Sequence, residues 1–517
     1  MAETTFRATS ITAHTLDIIM AGLLKVEVGG GSVDRDTWSR QFDSLSPPRR
    51  LDICEVKDVC VALDSLLQVA RIGVSILEGN GGADQRHTIH SLPDETLANI
   101  FEFNHDDVGK SNEYSIDISH TCRRFRMVAL HCPRLWSVVH NGQNADELDP
   151  FLSRSGRTKL TVAVNEDLLH ELYSSNTIPV KKFMDVVTKQ LDRWGSFRCI
   201  VNDEVGSETI EVLCEYTRLH LPMLTTFTCK NRMKEYPEPL DIFYKSWLMP
   251  SLIRYSAVRT FPPHGMSGTL KTVDLSLSRL GHLGVEQLRY TLHYATELES
   301  LAIKFRDSAP TLIVDFHGPV IDNLCLPKLR CFSLDFNGME FHFSECVRDV
   351  FRNFTAPVAT ILALKGGYGS LDEILLAIIP NDQVFPSVNR FELLPRGSRV
   401  FGQETLPIAL ARMPSLQHLS IRSESYGCKI RRLFDKRQTF PQLLSLRLEH
   451  CGDVSDAAIR AILSELQRGV SWPEFQNLKL HQCARLSKIY LERLKHRMGN
   501  KLEYSLAFRS RSPSSDG

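Results

Sequence analysis

Apolar and polar positions keep a regular beat through the second half of this chain. Ten times from Pro222 onward, a turn residue is followed by an apolar position, two intervening residues, a second apolar position, one intervening residue and a third. The clearest copies read Pro414-Ser-Leu-Gln-His-Leu-Ser-Ile421, Pro441-Gln-Leu-Leu-Ser-Leu-Arg-Leu448 and Pro473-Glu-Phe-Gln-Asn-Leu-Lys-Leu480. Weaker copies start at Pro222, Pro250, Gly268, Thr296, Pro327, Pro357 and Pro386. From Gly268 to Pro473 successive starts lie 28, 31, 30, 29, 28, 27 and 32 residues apart, whereas the Pro250–Gly268 step is 18. The last two apolar positions alternate as a strand does, so Leu446 and Leu448 share one side and Arg447 takes the other. A proline ahead of a strand has no N–H to give to a ladder and suits a turn. Beyond the strand, Val454, Ala458, Ile459 and Ile462 carry a helical period, and Ser455 or Asp456 is placed to cap that helix. The copy at Pro357, read as Pro-Val-Ala-Thr-Ile-Leu362, lacks a clean last pair, and 236–250 is irregular, so insertions are expected.

A period just under thirty with an L-x-x-L-x-L heart resembles the leucine-rich repeat, in which Cys451 and Cys483 fit the Asn/Cys slot. The resemblance implies a curved solenoid over 215–500 with Leu446, Leu448, Leu478 and Leu480 inside. Such arrays present one extended face to other macromolecules. Charged residues on the open side, Arg447 and Lys479 among them, are expected to be dispensable for folding.

A different pattern occupies 89–139. Ser91, Pro93, Asp94 and Glu95 make a helix-start signal, and Leu97, Ile100 and Phe101 then fall on one helix face. A polar insert, 104–115, separates this helix from a second block. There Ile118, Cys122, Phe125 and Ala129 form a helical stripe flanked by Arg123, Arg124 and Arg126. Pro133 ends the block, and Leu135-Trp136 follows.

Leu92-Pro93-Asp94-Glu95, Leu97, Ile100-Phe101, Ser119-His120-x-Cys122-Arg123-Arg124-Phe125-Arg126, Ala129-Leu130 and Pro133-x-Leu135-Trp136 together resemble an F-box of the fungal (basidiomycete) type. Phe151-Leu-Ser-Arg-Ser155-Gly156-x-x-x-Leu160-x-Val162 resembles the segment that often follows it, and such F-boxes are similarly joined to irregular leucine-rich repeats. Thr96 stands where an aliphatic residue is commoner, and Phe125 where tryptophan is usual. The resemblance implies a three-helix module that docks on a Skp-family adaptor and, through it, a cullin ubiquitin ligase. Helix-in-groove recognition would use apolar anchors, here Leu92, Pro93, Leu97, Ile100, Phe101, Leu135 and Trp136. The target held by the repeats is unknown.

Length allows two or more domains. The expected fold class is α/β, a small helical module followed by an irregular repeat solenoid, with a connecting region over 150–214. A loosely ordered segment is expected over 1–50, a support helix or hairpin over 51–82, and an unfolded tail over 505–517. Lys and Arg total 61 and Asp and Glu 61, so no dominant nucleic-acid footprint is expected. No long apolar run predicts a membrane span, and Ile11–Leu24 is broken by polar residues, against a secretory signal. Thirteen scattered cysteines fit a reducing compartment, cytoplasmic or nuclear. Neither cofactor nor metal motif is found. Glu449-His450-Cys451 sets a base beside a thiol, but neighbours in a strand point to opposite faces. The resemblance, with no catalytic motif beside it, therefore implies a non-catalytic substrate-receptor subunit. A leucine-rich scaffold without a ligase role is the alternative, and a hydrolase within 165–250 a third.

Overall fold

The computed structural model describes residues 89, 92–103, 111–164, 178–201, 206–231, 243–262, 267–277, 282–306, 319–336, 344–366, 371–395, 405–423, 442–452, 454–468 and 472–505. The expectations for 1–50, 51–82, Ser91 and the tail beyond 505 lie outside these residues. The chain divides into two compact units, Met1–Val138 with Pro150–Gly156, and Val139–Asp149 with Arg157–Gly517.

The first unit contains three helices, Asp94–Phe103, Ser111–Thr121 and Arg123–Leu130, then a 3-10 turn, Pro133–Trp136. Asp94 and Glu95 open the first helix, where negative charge complements its dipole. Two sequence expectations change here. The insert was expected to run to Ser115, yet the second helix starts at Ser111. Ser115 is fully buried, and its Oγ donates to the Leu135 carbonyl at 2.7 Å. Nor does the stripe continue through Cys122. That residue is extended (φ −156°, ψ 167°), and its Sγ accepts from Phe125 N, so it caps the third helix. The interior is aromatic: Phe101 meets Phe125 edge-on at 5.1 Å, and Trp136 meets Phe151 at 4.9 Å. Such pairs contribute about 0.5–1.5 kcal/mol beyond area burial. Trp136 Nε1 donates to the Ala129 carbonyl at 2.8 Å, which satisfies the one polar atom of that ring.

The second unit is mixed α/β, built on a long parallel sheet. Its strands are β1 (Val138–His140), β2 (Leu160–Val164), β3 (Trp194–Val201), β4 (Thr226–Asn231), β5 (Arg254–Val258), β6 (Thr272–Leu277) and β7 (Ser300–Phe305). After the short β8 (Leu324–Cys325) come β9 (Cys331–Phe336), the short β10 (Phe354–Thr355), β11 (Ile361–Gly366), β12 (Arg390–Pro395), β13 (His418–Arg422), β14 (Ser445–Glu449), β15 (Asn477–His481) and β16 (Leu502–Ser505). β8 and β10 pair with each other, and the other fourteen strands form one sheet in strict chain order. Each pairing from β2 to β16 is parallel.

All ten turn residues read from the sequence precede a strand of this sheet, and each strand begins four residues later. Leu446, Leu448, Leu478 and Leu480 are buried, with Leu446 registered on Leu478 and Leu448 on Leu480. The arrangement is compatible with a solenoid of repeats. The Pro357 copy is regular after all. Its buried pair is Leu362 and Leu364, the second of them two residues beyond where the sequence reading stopped. The sheet also overruns the expected limits of 215–500: the supposed connecting region holds β2 and β3, and β16 follows the last repeat.

Local chemistry joins successive repeats. Ser455 Oγ accepts from Ala458 N at 3.3 Å and caps helix Asp456–Arg468. Asp456 instead reaches the next repeat, where its carboxylate accepts from Ser487 N at 3.0 Å and Ser487 Oγ at 2.7 Å. Ser487 in turn caps helix Lys488–Met498. Cys451 Sγ donates to the Ile421 carbonyl of the preceding strand at 3.6 Å, and Cys483 Sγ repeats this with Leu448 at 3.7 Å. Upstream, Phe243, Tyr244 and Trp247 of the irregular stretch are fully buried; Tyr244 and Trp247 meet the rings of Trp194, Phe197 and Phe227, and Phe243 packs on Tyr244 and Trp247. On helix His282–Tyr294 the buried guanidinium of Arg289 donates to the carbonyls of Ile321, Asp322, Asp349, Val350 and Arg352 at 2.6–3.1 Å.

Candidate partner-docking site

The seven anchor candidates separate into two groups. Leu97, Leu135 and Trp136 have no exposed surface, and Phe101 is 3% exposed. These four build the interior of the first unit and are not available to a partner, which corrects their assignment as anchors. The reason is size: three short helices need their largest side chains to make a core at all. Leu92 is half-buried, Pro93 exposed, and Ile100 exposed on the outer side of the first helix.

Sequence reading missed further apolar groups on the same unit. Phe103, one turn beyond Ile100, is 68% exposed, and Met127 on the third helix is 50% exposed. Pro93, Ile100 and Phe103 recur at helical spacing, so the first helix buries one apolar edge through Leu97 and Phe101 and presents an adjacent one outward. The i, i+3 step from Ile100 to Phe103 was the available signal. It went unread because Phe101 had already completed the apolar pattern.

The start of the first helix is held in place. Arg124 on the third helix donates to Asp94 Oδ1 through Nε at 2.9 Å and Nη2 at 2.6 Å, and Nη2 also reaches the Leu92 carbonyl. The arginine therefore sets the geometry of Leu92-Pro93. At the other end, Cys132 Sγ donates to Glu102 Oε1 at 3.1 Å, and Arg134 stands 3.5 Å from Glu102 Oε2. Burial, followed by the Glu102 carboxylate, pushes the Cys132 thiol up to about 12. It remains protonated at neutral pH and serves as a hydrogen-bond donor, not a nucleophile.

In the second unit the strands bury one side and leave the other half-open, with Arg447 and Lys479 on the open side as expected. Both are paired: Arg447 Nη2 lies 2.5 Å from Glu449 Oε1, and Lys479 Nζ 2.6 Å from Glu503 Oε2. The Lys479 ammonium holds the Glu503 carboxyl below its ordinary value. In the Glu449-His450-Cys451 triplet, His450 takes a positive φ of 54°, and the Cys451 thiol is committed to backbone carbonyls.

Among the described residues no cluster of three or more His, Cys, Asp or Glu is placed to hold a metal ion. Among the same residues no helix is long and apolar enough to cross a membrane. In comparisons with known proteins, no family model and no curated protein matches the chain.

Proposed function

We propose that the protein is a non-catalytic substrate-receptor subunit of a Skp–cullin–F-box ubiquitin ligase. In this reading the three-helix unit is an F-box that docks on a Skp-family adaptor, and the parallel sheet belongs to a leucine-rich-repeat solenoid that holds a target protein. The observation that carries the reading is the division of apolar residues on the first helix. Leu97 and Phe101 fill the unit's own core, while Pro93, Ile100 and Phe103 lie outside it, Phe103 being 68% exposed. An apolar helix edge of this kind, braced by the Arg124–Asp94 contact, suits helix-in-groove recognition. Joining the two units on one chain raises the target's effective concentration at the ligase, and other subunits carry out the transfer.

The test is adaptor affinity by calorimetry, with circular dichroism as a folding control. Interface anchors typically contribute about 2–4 kcal/mol, so Ile100→Asp with Phe103→Asp weakens adaptor binding by about thirtyfold or more while the helical signal persists. A wild-type protein that binds no adaptor overturns the ligase reading and leaves a repeat scaffold.

A further inference from the structure

Every Lys and Arg in the main sheet stands at an alternate strand position that belongs to the open side. From β6 to β16 each of these cations has a carboxylate at hand. Lys304 lies 3.4 Å from Asp274, Arg390 2.7 Å from Glu392 and Arg422 3.8 Å from Glu449, and Lys365 is in register with Asp335. Arg447 keeps Glu449 and Lys479 keeps Glu503. The first five strands differ. Arg198, Lys230 and Arg254 project from β3, β4 and β5, and no Asp or Glu occurs in any strand from β1 to β5. Among the described residues neither Lys230 nor Arg254 has an ion pair or a side-chain hydrogen bond.

Strand register sets these cations around a pair of hydroxyls. Thr228 on β4 is the register partner of Arg198 on β3 and of Ser256 on β5. Lys230 follows Thr228 by two residues on its own strand, and Arg254 precedes Ser256 by two. With strands about 4.8 Å apart and alternate residues about 6.7 Å apart, all three cations are rooted about 5–8 Å from Thr228. Lys230 and Arg254 lie to opposite sides of it along the strand direction, with their Cα atoms about 14 Å apart. Between them the half-buried side chains of Thr228 and Ser256 face outward, and among the described residues their hydroxyls have no hydrogen-bond partner.

We infer that the open face of β3–β5 docks an extended acidic segment of a partner protein, with Lys230 and Arg254 each taking one carboxylate and the Thr228 and Ser256 hydroxyls bonding the chain between them. This rests on the proposed reading of the sheet as the target-holding half, and it supplies the place and the chemistry of that contact. Charge complementarity selects the occupant, because the remainder of the open face supplies carboxylates to its own cations and this part does not. A span of about 14 Å is four residues of extended chain, so the two acids of the segment stand at i and i+4. Separate carboxylates meet each cation where it projects, and the arginine fork receives its own with two parallel hydrogen bonds. A hydroxyl both donates and accepts, which suits the N–H and C=O groups of a peptide backbone. Nucleic acid fits less well: the outward positions of β3–β5 are Ser, Thr, aliphatic and basic residues, with no aromatic platform on which bases would stack.

The experiment uses the full chain and a fluorescein-labelled glutamate-rich peptide of about ten residues, read by anisotropy at low and physiological salt. Lys230→Gln with Arg254→Gln weakens peptide binding about tenfold or more. Arg447→Gln with Lys479→Gln removes the same charge from the same face, where carboxylates already hold it, and changes binding less than about twofold. Thermal melts of both variants check folding, and Lys230→Gln alone serves if the first double variant does not fold. Equal losses in the two variants, no binding by the wild type, or tighter binding of a single-stranded oligonucleotide of matched charge overturns the inference. Adaptor affinity measured on the same samples separates this outcome from failure of the ligase reading.

Discussion

Replacing Arg289 with methionine isolates what a single buried side chain contributes to three consecutive repeats. The substitution keeps much of the apolar stem and removes every donor to the carbonyls of Ile321, Asp322, Asp349, Val350 and Arg352. The bonds to Ile321 and Val350 are buried, so those two oxygens gain no water in exchange, at about 1–3 kcal/mol each. The other three bonds are partly buried, and their carbonyls rehydrate. Asp349 and Val350 end the helix Ser344–Val350, so the lost cation also stood at the negative end of a helix, an effect of about 0.3–1 kcal/mol. Release from guanidinium desolvation offsets part of the loss, which leaves a net destabilisation of about 3–5 kcal/mol. Urea denaturation followed by circular dichroism reads this as a lowered midpoint. Arg289→Lys falls between wild type and Arg289→Met, because an ammonium group has three donors but no planar fork. A methionine variant within about 1 kcal/mol of wild type would refute the reasoning, since the oxygens would then be satisfied without the arginine.

Two further outcomes follow from burial. Leu446→Asp sets an unpaired charge in a layer with no solvent access and is expected to cost several kcal/mol, read as a large fall in melting temperature; a wild-type melt would show that the strand register is wrong. His140 is buried and its pKa is lowered to about 4 by desolvation, so the unfolded chain binds the proton more readily than the folded one. Its contribution is complete above pH ~6.5 and is lost as pH falls toward ~4, about 3 kcal/mol in all. His140→Gln flattens the acid limb of the stability–pH curve across that window, and an unchanged limb would show that His140 is not the group responsible.

The fold of the repeats was legible because strand phase is written in short-range pattern. A turn residue, a fixed gap and two alternating leucines are local, and all ten copies mark real strands. β2, β3 and β16 escaped notice because their sequences break the phrase. Leu160-Thr-Val-Ala-Val164 and Trp194-Gly-Ser-Phe-Arg-Cys-Ile-Val201 have no preceding proline and are stabilised by sheet neighbours more than by their own signal. The three-helix unit was legible in its residues but not in their allocation. Trp136 and Ile100 look equally apolar in sequence, yet one donates to the Ala129 carbonyl from full burial and the other faces outward. The break at Cys122 depends on a thiol acting as a cap, a role that sequence rules give to Ser, Thr, Asp and Asn.

A constant four-residue lead into each strand, set against spacings that vary from 18 to 32 residues, confines length variation to the return side of every repeat. Insertions and deletions there leave the order and register of the strands untouched, because each strand answers only to its immediate neighbours. Excision of one whole repeat, turn to turn, should therefore close up in register, whereas removal of a single residue between turn and strand inverts every side chain of that strand. Such a molecule can change the residues on its open face by exchanging whole rungs, with the order of the remaining strands kept unaltered.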